Sequence, residues 1–227
     1  MLNFKRLLCA VLAGVFVFSM LPAMDVSAAD SAEEEYYLLN EDFGQETDFT
    51  HWQIKNGSYQ VSDSGELVLT PNSGANAIMW YNGAESQNWT DYEVTVNMNT
   101  PAERGKILGF IFRSNSDASK YYILRFVNGV CQIYAGSTQL KSTSTSRGLD
   151  GNEHEMKIIV KGNEIAFYLD GGDPFFSTFT DNSFGSGTVG FLAYGADLTC
   201  NSIQVKDLRE EHTVTWVVDG KTTSRPT

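Results

Sequence analysis

The run Ile107–Gly136 reads ILGFIFRSNSDASKYYILRFVNGVCQIYAG. Three apolar stretches, ILGFIFRS, KYYILRFV and VCQIYAG, are separated by the polar NSDAS and by Asn128-Gly129. Asn-Gly between apolar runs is a strong short-range hairpin signal, because a type I′ turn needs φ > 0 at both central residues. The stretches therefore read as three strands. Alternation places Phe110 and Phe112 on one face of the first, and Ile111 and Arg113 on the other. In the second, Tyr122, Leu124 and Phe126 share a face, and Tyr121, Ile123 and Arg125 share the opposite one. One face is thus a hydrophobic core. The other carries two arginines and a tyrosine among apolar neighbours. Such a face can hold a polar, ring-shaped ligand; the plainer alternative is that both arginines are simply solvated.

The same pattern continues outward in both directions. Upstream, strands are expected at Tyr36–Asn40, Phe49–Ile54, Ser58–Val61, Glu66–Leu69 and Ala77–Tyr81. Tyr92–Met98 alternates strictly, with Tyr92, Val94, Val96 and Met98 against Glu93, Thr95 and Asn97. Downstream, Ser142–Ser146 reads as a polar loop. His154–Val160 and Glu164–Leu169 form a second hairpin about Gly162-Asn163, and Thr188–Tyr194 and Asn201–Val205 close the series. No 3.6-residue apolar period appears outside the N-terminal leader. Many short strands between turn signals define an all-β class, here a double-sheet jelly roll.

The chain has 227 residues and a formal net charge of -12. That acidity argues against nucleic acid and anionic membrane surfaces as partners. Lys5 and Arg6, the apolar run Leu7–Leu21 and the small residues Val26, Ser27 and Ala28 have the order of a secretory signal peptide, cleaved after Ala28. Residues 1–28 are therefore expected to be removed, and 29–35 form an acidic, disordered lead-in. Residues 36–208 make the folded sandwich. No other stretch approaches the ~20 apolar residues of a membrane span. Cys131 and Cys200 remain after cleavage; they either pair, as an exported protein permits, or stay as two buried thiols. Residues 209–227 hold a charged linker, Arg209 to Glu211, and then the strand-like HTVTWVVDG of His212–Gly220. A lone strand is not independently stable, so this tail reads as the cut-off start of a following domain.

The motifs WTDYEV (Trp89–Val94), GFIFR (Gly109–Arg113) and YYILR (Tyr121–Arg125) resemble concanavalin A-like, laminin-G-like jelly rolls of bacterial secreted proteins. KIIV (Lys157–Val160), IAFYLDG (Ile165–Gly171), GTVGFLAY (Gly187–Tyr194) and IQVKD (Ile203–Asp207) continue that resemblance. The nearest subgroup is the fructan-binding carbohydrate-binding modules of bacterial glycoside hydrolases, and the likeness covers roughly 36–208. The tail resembles the start of an internalin-type B repeat. Together these imply a concanavalin A-like β-sandwich, secreted or at the bacterial cell surface, within a larger modular protein. Its partner would be a polysaccharide or oligosaccharide, with fructan as the first expectation.

Sugar recognition needs aromatic faces for the C–H-rich side of a ring and planar polar groups for its hydroxyls. The resemblance places the arginine that ends the GFIFR strand and the tyrosines that open the next on the ligand side. These are Arg113, Tyr121 and Tyr122, of which parity prefers Tyr121. Arg125 shares the face of Tyr121. Alternation leaves Tyr168 and Asp170 outside the core, although Asp170-Gly171 equally reads as a turn. Trp80, like Trp52 and Tyr194, is either a core aromatic or a sugar platform. The resemblance also implies a structural calcium where the first and last strands meet, with Glu41, Asp42 and Asp207 as oxygen ligands. A glycoside hydrolase of the same fold is the rival function, and a protein-binding adhesion module is a third. Hydrolysis needs two carboxylates across the bond. The Glu-x-Asp-x-x-Glu strand of laminarinase-type jelly rolls has no counterpart here, since neither Asp91/Glu93 nor Glu153/Glu155 is followed by the third acid.

Overall fold

In the computed structural model, the structure describes residues 36–44, 47–146 and 150–209, together with the backbone of residues 213–218 and 221–226. The signal peptide and the lead-in expected at 1–35 lie outside the described residues. The first strands are β1 (Tyr37–Glu41), β2 (Trp52–Lys55), β3 (Gly57–Val61), β4 (Leu67–Pro71) and β5 (Ala77–Tyr81). Then come β6 (Tyr92–Asn99), β7 (Ile107–Ser114), β8 (Tyr122–Val127), β9 (Val130–Ala135) and β10 (Thr138–Ser144). β11 (Glu153–Lys161), β12 (Glu164–Leu169), β13 (Phe176–Thr180), β14 (Thr188–Tyr194) and β15 (Leu198–Asp207) complete the sandwich, and β16 (Thr213–Val218) and β17 (Lys221–Pro226) form a separate hairpin.

Among the described residues, fifteen strands make two sheets. An eight-stranded sheet runs β13-β12-β11-β6-β15-β4-β3, with β1 also paired to β15; a seven-stranded sheet runs β10-β9-β8-β7-β14-β5-β2. The alternation read from Tyr92–Met98 is reproduced residue by residue: the even positions are fully buried and the odd ones half-exposed. The two inner faces meet in one core. Val94, Val96, Ile158 and Phe167 come from one sheet, and Phe110, Phe112, Leu124 and Phe126 from the other. Each such side chain, fully buried, contributes roughly 1.5–3 kcal/mol relative to exposure. Crossovers between non-consecutive neighbours give the jelly-roll order, and the chain has the concanavalin A-like β-sandwich fold expected from its sequence.

The Asn128-Gly129 turn joins β8 to β9 with φ of 53° and 76°, and Val127 pairs with Val130 across it. Two strands depart from the expectation. The polar stretch around Ser142 belongs to β10, paired to β9, and β13 was not anticipated. Both are edge strands whose side chains are mostly exposed, so neither carries an apolar alternation. The tail strand is not alone either: β16 pairs with β17 from Thr213–Pro226 to Val218–Lys221.

Cys131 and Cys200 are unpaired, each buried in the core. Burial pushes both thiols well above their ordinary pKa, so they behave as small apolar side chains.

Candidate binding face

Register assigns every side chain of the seven-stranded sheet to a face. One outer row runs Gln53, Trp80, Gly190, Ile111, Ile123, Tyr134, Gln139. The next runs Lys55, Ile78, Leu192, Gly109, Arg125, Gln132, Ser142. This outer face carries its own apolar cluster of Ile78, Trp80, Ile111, Ala118, Ile123 and Leu192, flanked by Ile107, Tyr121 and Tyr134. Part of the cover is the loop Asn115–Lys120. Trp80 Nε1 donates to the Ser116 carbonyl at 3.0 Å. Lys55 Nζ donates to the carbonyls of Ala118 at 2.6 Å and Asp117 at 3.3 Å, and sits 5.5 Å from the Trp80 ring centre. Trp80 is only 8% exposed. It therefore anchors the loop and does not lie open as a stacking surface. Gly190 faces Trp80 across the ladder. An added Cβ there would overlap the Met79 carbonyl oxygen and come within 2.7 Å of Trp80 Cα.

Beyond that covered end, β8, β9 and β10 present a polar array. The Arg125 guanidinium lies 4.2 Å from the Tyr134 ring centre. Its Nε donates to Gln132 Oε1 at 3.0 Å. Gln132 Nε2 donates to Gln139 Oε1 at 3.3 Å, and the Tyr134 hydroxyl donates to the same oxygen at 2.8 Å. Neither Nη group of Arg125 has a hydrogen-bond partner among the described residues. Tyr121 is half-buried beside them. Burial raises its phenol pKa and the Arg125 charge opposes that rise, leaving it above the ordinary value.

Six residues were expected to gather at one ligand site. The structure brings Trp80, Tyr121 and Arg125 to this face and separates the other three. Arg113 is corrected: it does not share the face of Ile111. Between Ile111 and Ser114, β7 has one residue more than β14 has between Thr188 and Gly190. This bulge, with φ of 46° at Arg113, turns the side chain inward. Arg113 is 1% exposed. Its Nη2 donates to the carbonyls of Thr90 (2.6 Å) and Gly162 (2.7 Å), its Nη1 to that of Phe184 (3.2 Å), and its backbone N–H to the Tyr92 hydroxyl oxygen. It ties the two sheets together at one end of the sandwich and has no reach to a ligand on the outer face. Tyr122 points inward as well: its hydroxyl donates to Asp181 Oδ1 at 2.6 Å and accepts from the Phe184 N–H. Of the other aromatics, Trp52 is core, stacked on Phe191 at 5.9 Å.

Tyr168 stands on the outside of the other sheet, opposite Lys157, whose Nζ is 6.0 Å from its ring. Asp170, with φ of 54°, ends β12 in a cluster the sequence did not reveal. Its Oδ2 lies 2.9 Å from His154 Nδ1, while His154 Nε2 lies 2.9 Å from Asp150 Oδ2. Thr100 Oγ1 and the Asn152 N–H also donate to Asp150. Carboxylates on both ring nitrogens require the doubly protonated imidazolium. Burial by itself lowers the His154 pKa; the hydrogen bonds and charges of Asp170 and Asp150 outweigh it and hold the value above normal. A raised folded value means stabilisation present in full below about pH 6.5 and lost as pH climbs through the folded pKa. His154→Asn should thus lower the unfolding free energy by about 0.5–1 kcal/mol at pH 6, after allowance for the half-exposed carboxylates, and by less at pH 9. Urea titrations at both pH values check this; an equal deficit at both would mean that His154 is neutral.

The three carboxylates expected to bind calcium do not converge. Glu41 pairs with Ile203 at one end of the β1–β15 ladder, while the Asp207 N–H bonds the Tyr36 carbonyl at the other. Four residues of strand, about 13 Å, separate these positions. The Asp207 carboxylate is engaged by Arg209 Nε at 2.9 Å, and Asp42 Oδ1 accepts from the Gly44 N–H. Among the described residues no group of three His, Cys, Asp or Glu is placed to hold a metal ion. These residues therefore do not fit the implied ion as a set.

No family model and no curated protein matches the chain. Solved structures do. The carbohydrate-binding module CBM66 from Bacillus subtilis is similar at 16% identity and TM-score 0.58, over 70% of this chain and 96% of that one. A Bacillus subtilis protein of unknown function with a galectin-like fold is similar at 15% identity and TM-score 0.61, over 76% and 97%. A Bacillus licheniformis beta-glucanase is similar at 14% identity and TM-score 0.56, over 75% and 98%. At these identities the shared property is the concanavalin A-like jelly roll itself, a fold that hosts both sugar binding and glycoside hydrolysis. No helix among the described residues is long and apolar enough to cross a membrane.

Proposed function

We propose that this chain is a secreted, non-catalytic module that binds a polysaccharide on the outer face of its seven-stranded sheet. The observation that carries the reading is the Arg125–Tyr134–Gln132–Gln139 array beside Tyr121. It combines aromatic surface with open, fixed N–H donors, the two things that a sugar ring and its oxygens require. The fold's occurrence in a carbohydrate-binding module supports it. A non-catalytic role is supported by composition: no strand of this sheet contains Asp or Glu. A retaining or inverting glycosidase needs two carboxylates flanking the bond. Within a larger modular parent, as the tail resemblance implies, such a module would raise the local concentration of its neighbours at the polymer.

Affinity gels of the full chain test this against levan, inulin, xylan, β-glucan, polygalacturonate and dextran sulfate, with reducing-sugar release measured in parallel. Retardation by at least one polymer without sugar release is expected, weakened roughly tenfold in Arg125→Ala, about the loss of a charge-assisted hydrogen bond. Sugar release from any polymer would instead favour the hydrolase reading.

A further inference from the structure

The hydrogen-bond directions in the array carry more than a general affinity for sugars. Arginine has five N–H donors and no acceptor. Arg125 Nε therefore obliges the Gln132 atom at 3.0 Å to be the amide oxygen. The other end of that amide is then the NH2, which obliges the Gln139 atom at 3.3 Å to be oxygen in turn. The Tyr134 hydroxyl, 2.8 Å from that same oxygen, must donate to it. The chain of bonds is polarised in one direction by the guanidinium, and no amide flip is compatible with it.

The consequence is a group of four side chains with more open donors than open acceptors. The Gln139 amide oxygen accepts two bonds inside the array and the Gln132 amide oxygen accepts one. Left open to an incoming ligand are the two Nη groups of Arg125, the Gln139 NH2 and one N–H of Gln132. Among these four side chains, accepting capacity remains only in the second lone pair of Gln132 Oε1 and in the Tyr134 hydroxyl oxygen, fewer sites than the open N–H groups just named. A neutral sugar offers hydroxyls, each both donor and acceptor, and so is matched best by acceptors and donors together. A carboxylate or sulfate group is acceptor-only, and a guanidinium fork matches its geometry.

Charge points the same way. The strands of the seven-stranded sheet contain Lys55, Arg113, Arg125 and Lys141 and no acidic residue. The opposite sheet carries Glu41, Glu93, Glu153, Glu155, Glu164 and Asp207 on its strands. Arg113 is buried, and Lys55 is occupied by the carbonyls of the Asn115–Lys120 loop. In that loop, Asp117 Oδ1 is held by the N–H and hydroxyl of Ser119. Among the described strand residues of this face, Arg125 is thus the cation with unengaged donors. The chain's net charge of -12 does not forbid an anionic polymer here, because beyond ~8 Å physiological salt screens the acidic residues of the other face.

Resting on the polysaccharide-binding reading above, we infer that the ligand is an anionic polysaccharide, whose ring-borne carboxylate or sulfate is received by Arg125 Nη1/Nη2 and the Gln139 amide. This differs from the neutral fructan implied by the sequence resemblance.

The same affinity panel, run with variants and salt, decides the point. Two variants probe the array. Arg125→Gln removes the fork. Gln139→Glu, on the exposed edge strand β10, keeps the oxygen that Gln132 and Tyr134 need and replaces the open NH2 with a carboxylate oxygen. The expected result is retardation by polygalacturonate or dextran sulfate, lost by roughly tenfold or more in both variants and weakened between 50 and 500 mM NaCl. Levan, inulin, xylan and β-glucan should leave mobility unchanged. Retardation by polygalacturonate alone assigns a carboxylate, and by dextran sulfate alone a sulfate; either supports the inference. Binding to neutral polymers only, or anionic binding untouched by both variants, overturns it and leaves polysaccharide binding standing. Retardation by no polymer overturns both.

Discussion

Arg113→Ala is expected to lower the free energy of unfolding by about 3–5 kcal/mol while leaving polysaccharide affinity per folded molecule unchanged. The side chain satisfies three carbonyl oxygens, those of Thr90, Gly162 and Phe184, from two loops and a hairpin turn. Truncation strands all three at once, and each stranded group costs about 1–3 kcal/mol less whatever water can recover. The φ of 46° strains arginine and alanine alike, and the truncated residue loses the bonds that hold the backbone there. Arg113→Lys should fall between the two, since an ammonium cannot span three acceptors as a planar fork does. Urea denaturation of the three proteins measures the series. A loss below about 1 kcal/mol for Arg113→Ala would show that the latch is replaceable by solvent. A selective loss of sugar binding in a protein of unchanged stability would return Arg113 to the ligand site.

Trp80→Ala should be comparably destabilising, by about 3 kcal/mol, for a different reason. Its indole is 92% removed from solvent on the outside of a sheet, where only the Asn115–Lys120 loop and neighbouring strands can cover it. Removing it leaves a cavity against Ile78, Ile111 and Leu192 and takes away the donor to the Ser116 carbonyl. The loop should then open locally more often, so its amides should exchange with deuterium faster than those of β7 and β8 on either side. Trp80→Phe should recover most of the stability and little of the loop protection, because it refills the volume without the N–H. A Trp80→Ala protein as stable as the parent would mean that the ring stands free as a sugar platform.

Arg113 and Arg125 bound what could be read before the fold was known. Both lie on strands in the same run, both sit beside aromatics, and simple alternation gives them the same role. One inserted residue in β7 reverses the direction of Arg113, and nothing in GFIFRS announces it. Arg125, on an unbulged strand locked in register by Asn128-Gly129, points where parity says. Tyr168 illustrates a second limit. Alternation correctly puts it outside the core, but it cannot say that β12 belongs to the opposite sheet, which depends on pairing between β11 and β6 some 60 residues apart in sequence. Asp150, His154 and Asp170 meet only because β11 and β12 lie side by side. Their separations of 4 and 16 residues match no metal or catalytic spacing. The edge strands β10 and β13 leave no mark in the alternation because an exposed edge needs no apolar side.

The sequence by itself determined the all-β class, the positions of the central strands, the type I′ turn at Asn128-Gly129 and the split of most strand residues between core and exterior. Those follow from period-two alternation and turn stereochemistry, which act within a few residues. Only the tertiary structure decided which exterior residues share a face, that Arg113 is a buried latch, that Trp80 anchors a loop, and that Arg125, Gln132, Tyr134 and Gln139 form one polarised array. Those depend on bulges and on strand pairing between distant segments, where a shift of a single residue exchanges inside for outside.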